Sequence, residues 1–182
     1  MNKIIVVVGM CGSGKSVVCD YLLELGYKKV YFGKVTMDKL KEANLEVTPE
    51  NEKMMREKIR KEYGMGAFAT LLIPEITDLS KNNNVVLDGV YSWSELKILK
   101  EKFANMYILS VIVNKNIRYE RLSKREVRPF TKEEAIKRDI SEIENIEKGG
   151  PIAYADYFIL NNGTKEELHE ELDIILERIN NE

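Results

Sequence analysis

Apolar positions along the chain follow two alternating patterns. Ile4-Ile5-Val6-Val7-Val8 is a β-branched run without polar alternation, the mark of a strand covered on both faces, and Gly9 ends it. Val17, Val18, Tyr21, Leu22 and Leu25 then recur at helical spacing, and Gly26 supplies the stop. Val30-Tyr31-Phe32, Val85-Val86-Leu87, Met106 to Val113 and Tyr157 to Leu160 read as four further strands separated by helical patterns. Thr48-Pro49-Glu50 carries an N-cap, a Pro at the first helical position and an acid in the first turn. The helix it opens runs through Met54, Met55 and Ile59, with both methionines expected in the core, and breaks near Gly64-Met65-Gly66. It resumes from Ala67 to about Leu79 with a kink expected at Pro74. Ser92 to Glu95, Thr131 to Glu134 and Thr164 to Glu167 each match a capping box before an apolar periodic run, so three more helices start there. The alternation predicts an α/β layered domain around a mostly parallel five-stranded sheet.

Composition narrows the function classes. The 182 residues exceed one typical domain but do not reach two, and no repeat or linker divides them, so a single domain with insertions is expected. With 44% hydrophobic and 32% charged residues the chain can bury a core, and no apolar run approaches the ~18–20 residues of a membrane span. The apolar start could pass for a secretory leader, but it is short and followed by glycines, which favours a buried strand. A formal net charge of -2 provides no bulk field for nucleic acid, so any electropositive site must be local. Cys11 and Cys19 lack the companions of a disulfide scaffold or zinc site and suit a reducing, cytoplasmic setting.

The chemistry concentrates in Gly9-Met10-Cys11-Gly12-Ser13-Gly14-Lys15-Ser16. It fits G-x-x-x-x-G-K-[ST] and lies between a predicted strand and a predicted helix, the context that gives the pattern meaning. Wrapping a polyphosphate takes backbone N–H groups on a loop that glycines allow to turn, at a helix N-terminus whose dipole favours negative charge. Gly9, Gly12, Ser13, Gly14, Lys15, Ser16 and Val17 are therefore candidates for holding ATP. Lys15 would reach the β- and γ-phosphates, and Ser16 would ligate Mg²⁺. Asp88 ends a buried strand at the sheet edge where ligands of open α/β sheets gather. It is a candidate for the Mg²⁺ shell or for accepting a proton from an attacking hydroxyl; the alternative is a turn or capping aspartate before Gly89.

Arg118, Arg121 and Arg125 share one helix face by i, i+3, i+7 spacing, and Arg128 and Arg138 follow. Such a stripe is either a solvated charged face or a set of cations for a transferred phosphoryl group. His169 is expected on the polar surface of the last helix, Trp93 either stacks on a base or packs at a helix start, and Cys11 carries no sign of a catalytic thiol.

With these residues in place, the chain resembles the P-loop nucleotide kinases, the adenylate-kinase-like group that includes dephospho-coenzyme A kinase. Arg121-Leu122-Ser123-Lys124-Arg125 is similar to the R-x-x-x-R that opens that family's mobile lid, and Arg128 and Arg138 resemble its paired lid arginines. The resemblance implies a place on or near adenine for Arg121, and phosphate contacts for Arg125, Arg128 and Arg138. Ala155-Asp156 through Asn161-Asn162-Gly163-Thr164 is similar to the ending of dephospho-coenzyme A kinases, which makes Asn161 and Gly163 candidates for the adenine pocket. The acceptor half departs from both subfamilies. Gly33 to Met37 lacks the acid and arginine of G-D-x-x-R, Asp88 to Ser92 has no arginine, and no D-x-D follows the second strand. Lys34, Lys39, Arg56 and Arg60 are the cations available to replace them.

The resulting expectation is a three-layer P-loop NTPase fold. Its core comprises residues 1–33, 81–121 and 139–182, its helical acceptor-binding insert about 34–80 and its lid about 122–138. The expected activity is Mg²⁺/ATP-dependent phosphoryl transfer to a small nucleotide-like acceptor, catalysed by Lys15, Asp88, Arg125, Arg128 and Arg138. Dephospho-coenzyme A is the named alternative acceptor, and a regulatory NTP-binding switch is the alternative of another class. Neither a membrane nor a nucleic acid is an expected partner, and the chain is expected to be a monomer or homodimer.

Overall fold

The computed structural model describes residues 2–181. Five strands, β1 (Ile4–Val8), β2 (Lys28–Tyr31), β3 (Val85–Asp88), β4 (Met106–Ile112) and β5 (Tyr157–Leu160), form one parallel sheet in the order β2-β3-β1-β4-β5. The helices are α1 (Lys15–Glu24), α2 (Lys34–Glu42), α3 (Pro49–Tyr63), α4 (Ala67–Ser80), α5 (Trp93–Lys102), α6 (Lys115–Ser123), α7 (Lys132–Glu144), α8 (Gly149–Ala153) and α9 (Lys165–Asn181). Among the described residues none is long and apolar enough to cross a membrane.

The unbroken apolar run of β1 has its reason in the layers. Ile4, Val6 and Val8 face one core with Leu40, Ile76, Leu96 and Leu99 of α2, α4 and α5, while Ile5 and Val7 face a second core with Leu22 of α1 and Leu172 and Ile179 of α9. With helices on both faces, alternation has no solvent side to mark. At the end of α1 Gly26 takes φ +91°, its N–H donates to Leu23 O at 2.9 Å and Tyr27 N–H to Leu22 O at 3.0 Å, the paired bonds of a left-handed helix stop. All three capping boxes form.

Local details differ from expectation. The second strand begins two residues early, at Lys28, and stops before Phe32. The helix expected from Ala67 to about Leu79 is α4, with Pro74 inside it. Met55 is buried but Met54 is exposed, because on α3 only every third or fourth residue faces the core. His169 is half-buried, stacked on Tyr21 at 3.9 Å between ring centres. Trp93 packs against Gly150 and, edge-on, against Tyr154.

Candidate active site

The loop after β1 folds as its glycines require. Gly9, Gly12 and Gly14 take φ of +148°, +84° and +94°, and a Cβ on Gly9 would lie 2.5 Å from the Val111 carbonyl and 2.6 Å from Ser13 Oγ. Ser13 is buried and its Oγ has no hydrogen-bond partner among the described residues, an orphaned donor in a loop whose residues are the candidates for phosphate. Lys15 Nζ folds back over the loop and donates to Met10 O at 3.0 Å.

Burial, and then the neighbouring Lys148, push the Lys15 ammonium down to about 8; Glu142, Cys11 and Asp88 pull the other way. The neutral form is thus populated in the free protein just above neutrality, and a bound polyphosphate would restore the charge. At about pH 8.5, Mg-ATP binding is therefore expected to take up protons, and the uptake should fade by about pH 7, where Lys15 is already charged. Titration calorimetry in buffers of different ionisation enthalpy reads this directly; no uptake at the higher pH would remove the depressed lysine from the account.

The sheet order brings Asp88 to the same edge. Paired through Val7 with β1 and through Tyr31 with β2, it stands at the carboxyl end of β3, largely buried, with Lys29 Nζ 3.7 Å from its carboxylate. Ser16, the second residue of α1, is exposed. A hydroxyl and a carboxylate are hard oxygen donors, the set that suits a Mg²⁺ completed by phosphate and water, and the described residues hold no cluster of three or more His, Cys, Asp or Glu that would favour another metal site.

The arginine stripe divides by function. Arg118 is buried and forks onto Asp139 of α7 at 2.7 and 2.5 Å while donating to the Cys11 carbonyl at 2.9 Å, so it ties the loop to α7. Arg121 donates to Asn161 O at 2.8 Å and Gly163 O at 3.2 Å, and Asn161 Nδ2 donates to Ser13 O at 2.9 Å. The structure thus brings Arg121, Asn161, Gly163 and the glycine loop together. Arg125 is not on the helix face that spacing predicts, because α6 ends at Ser123, and it belongs instead to the connection to α7.

A cavity of about 370 Å³ opens beside the loop, bounded by Cys11, by Phe32, Gly33, Thr36 and Met37, by α3, by Gly89 and Tyr91 after β3, and by residues between Arg125 and Arg138. Arg56, Arg60, Arg125, Arg128 and Arg138 all line it. Its carboxylates are committed within the protein. Glu52 takes Arg56 at 3.3 Å and Arg128 at 3.4 Å, and Glu95 accepts Tyr91 N–H at 2.8 Å and Ser92 N–H at 2.9 Å in its capping box. Thr36 Oγ1 and Arg60 Nε are buried without hydrogen-bond partners among the described residues, and burial lowers the Arg60 guanidinium from its ordinary value. Tyr31, Phe32, Phe68, Tyr91 and Phe130 supply aromatic surface. Lys34 is not part of the cavity, because Glu75 of α4 holds its ammonium at 2.9 Å on the exposed side of α2, and Lys39 is likewise taken up by Glu42 at 2.7 Å.

Two residues escaped sequence reasoning. Glu142 of α7 reaches the loop, accepting Cys11 N–H at 3.1 Å, Arg138 Nε at 2.9 Å and Lys148 Nζ at 2.7 Å. Its i+4 spacing from Arg138 is the one signal available. Lys148, before α8, has none.

The chain is 38% identical to a UPF0200 protein of Sulfurisphaera tokodaii over 97% of each chain. It belongs to the UPF0200 family. A UPF0200 protein of Pyrococcus abyssi is 34% identical over 97% of this chain and 96% of its own. The AAA domain family, of P-loop NTPases, matches residues 5–148. In fold, this UPF0200 chain is similar to TT1252 from Thermus thermophilus, with TM-score 0.66 at 20% identity over 97% of each chain. It is also similar to shikimate kinase from Bacteroides thetaiotaomicron, with TM-score 0.62 at 14% identity over 96% of this chain and 98% of that one. This UPF0200 chain therefore has a P-loop kinase-like fold.

Proposed function

We propose that the protein transfers the γ-phosphoryl group of Mg-ATP to a small nucleotide-like acceptor held in the arginine cavity. The observation that carries this reading is the cavity itself, which meets the glycine loop at Cys11 and combines five arginines with an aromatic wall. Arginine forks suit phosphate oxygens, and aromatic faces suit a base. In this reading the loop from Gly9 to Val17 wraps the donor phosphates, and the adenine lies near Arg121, Asn161 and Gly163. Residues 34–80 form the acceptor side, with Arg56 and Arg60 but without Lys34. Residues 122–138 form the lid that brings Arg125 and Arg128 inward and excludes water. Magnesium on Ser16 and Asp88 would offset charge on the phosphates.

Catalysis then consists of positioning and charge neutralisation. Asp88→Asn is expected to cut turnover by at least about 100-fold with little change in ATP affinity, because it removes a charge needed at the reacting end and none from the wrap around the phosphates. An unchanged rate at saturating Mg²⁺ would make Asp88 a structural turn residue.

The test is ADP release from Mg-ATP with nucleoside monophosphates, deoxynucleoside monophosphates, nucleosides, shikimate or dephospho-coenzyme A added one at a time, with mass detection of the product. One acceptor that stimulates ADP release and gains a phosphate supports the reading and names the substrate. Dephospho-coenzyme A is in the panel because of the Ala155 to Thr164 segment, whose Asp156 accepts Ile108 N–H at 2.8 Å and whose Asn161 reaches the loop. Tight ATP binding with no phosphorylated acceptor would favour the NTP-dependent switch instead.

A further inference from the structure

We infer that Lys148 is a second phosphoryl-binding cation of this site, and that Glu142 is the internal anion occupying it until the terminal phosphate of a nucleoside triphosphate arrives. The inference rests on the nucleotide-binding part of the reading above and extends it to two residues that no sequence motif marks.

Both side chains are buried, Lys148 at 3% exposure and Glu142 at 2%, which is costly for charged groups and does not by itself contribute stability over an apolar pair. What distinguishes the pair is what else the carboxylate holds. Glu142 Oε2 accepts the Lys148 ammonium and the Cys11 backbone N–H, and Oε1 accepts Arg138 Nε. A backbone N–H of a glycine-rich phosphate loop, a guanidinium and an ammonium are the donor set of a bound phosphate, here gathered on a carboxylate sent in from α7. Although burial opposes ionisation, Lys148 and Arg138 hold the Glu142 carboxyl below its ordinary range, so the stand-in is an anion.

Position supports the same assignment. The ammonium of Lys148 lies 4.5 Å from the centre of the Tyr91 ring, and Tyr91 and Cys11 both border the arginine cavity. Lys148 therefore stands where the donor loop meets the acceptor side. It is also close enough to Lys15 to be, after burial, the main influence depressing that ammonium. Lys148 and Arg138 both bond the one carboxylate of Glu142, with Lys15 near enough to feel both charges, which leaves an excess of positive charge that a phosphate would balance.

During transfer, the bond between the γ-phosphorus and the bridging oxygen breaks and its electron pair leaves on ADP. The acceptor oxygen bonds the phosphorus and its proton passes to Asp88 or solvent. Lys148 changes no bond and neutralises the oxygens of the moving group, while Glu142 withdraws to Arg138.

The experiment compares Mg-ADP with a non-hydrolysable Mg-ATP analogue by titration calorimetry on the full chain, since only the latter carries the γ-phosphate. Lys148→Met is expected to weaken the triphosphate analogue by about 10-fold or more while moving ADP by less than about 2-fold, the loss of one charge-assisted hydrogen bond at the terminal phosphate alone. Lys148→Arg should recover most of the difference, and Glu142→Gln should bind the analogue at least as tightly as wild type. Should Lys148→Met fold poorly, the Glu142→Gln/Lys148→Met pair, which buries no lone charge, is read in the same way. Equal weakening of both nucleotides, or of neither, makes Lys148 a packing residue and overturns the inference. Because no acceptor enters this measurement, its outcome is independent of whether the acceptor panel finds a substrate.

Discussion

Lys15→Ala is expected to remove measurable Mg-ATP binding and lower phosphoryl transfer by about 1,000-fold or more while leaving the fold intact. The lysine is the one cation on the glycine loop itself. Among the described residues its ammonium makes a single hydrogen bond, to the carbonyl of Met10, and burial and Lys148 keep it near the edge of neutrality. Its charge therefore contributes little to the empty protein and much to a bound polyphosphate. The thermal midpoint of Lys15→Ala, read without nucleotide, should equal or exceed that of wild type, because a desolvated cation has been removed. Full turnover by this variant would sink the assignment of the donor site. A large loss of stability would show instead that the bond to Met10 holds the loop together.

Arg118→Met should have the opposite profile. The Arg118 fork to Asp139 is buried, and the same guanidinium holds the Cys11 carbonyl, so truncation leaves a carboxylate inside the protein with Tyr119 Oη, at 2.9 Å, as its remaining hydrogen-bond donor. Breaking one side of such a pair costs about 3–5 kcal/mol, a large part of the stability of a domain this size. Urea denaturation should place the variant that far below wild type, and Arg118→Met/Asp139→Leu should recover much of the loss by removing the stranded charge. A loss below about 1 kcal/mol would mean that the pair behaves like a surface ion pair. The pH dependence has a defined sign. Burial works against the Asp139 carboxylate, but Arg118 and Tyr119 hold its carboxyl below the ordinary range. Its contribution is present above the ordinary aspartate value and is lost as pH falls through the depressed one.

These two residues mark the boundary of what could be read from the chain. Lys15 was legible because its meaning is local: eight consecutive residues, a strand before and a helix after, specify the loop almost completely. The same holds for the apolar run of β1, five consecutive residues, and for the Gly26 stop and the three capping boxes, whose partners lie within five residues of one another. Arg118 was legible only as one arginine of a stripe. Periodicity says which residues share a helix face and nothing about what that face meets. Here three neighbouring arginines were sorted by separate partners: Arg118 to α7, Arg121 to the turn after β5, and Arg125 beyond the helix end altogether.

The cavity shows the same division. Five of its arginines were candidates from type and place in the chain, but Lys34, equally plausible by charge, is turned away by Glu75, forty-one positions along. Glu142 and Lys148 were invisible for a related reason. Their importance lies in reaching Cys11, separated from Glu142 by 131 positions, and only the packing of α7 against the loop creates that contact. By itself, then, the sequence determined the layered α/β fold, the phosphate loop and the charged residues available to it, because those follow from short-range periodicity and backbone requirements. Tertiary structure decided which charges meet. Pairing across a buried site depends on distances between elements remote in sequence, and no local pattern encodes them.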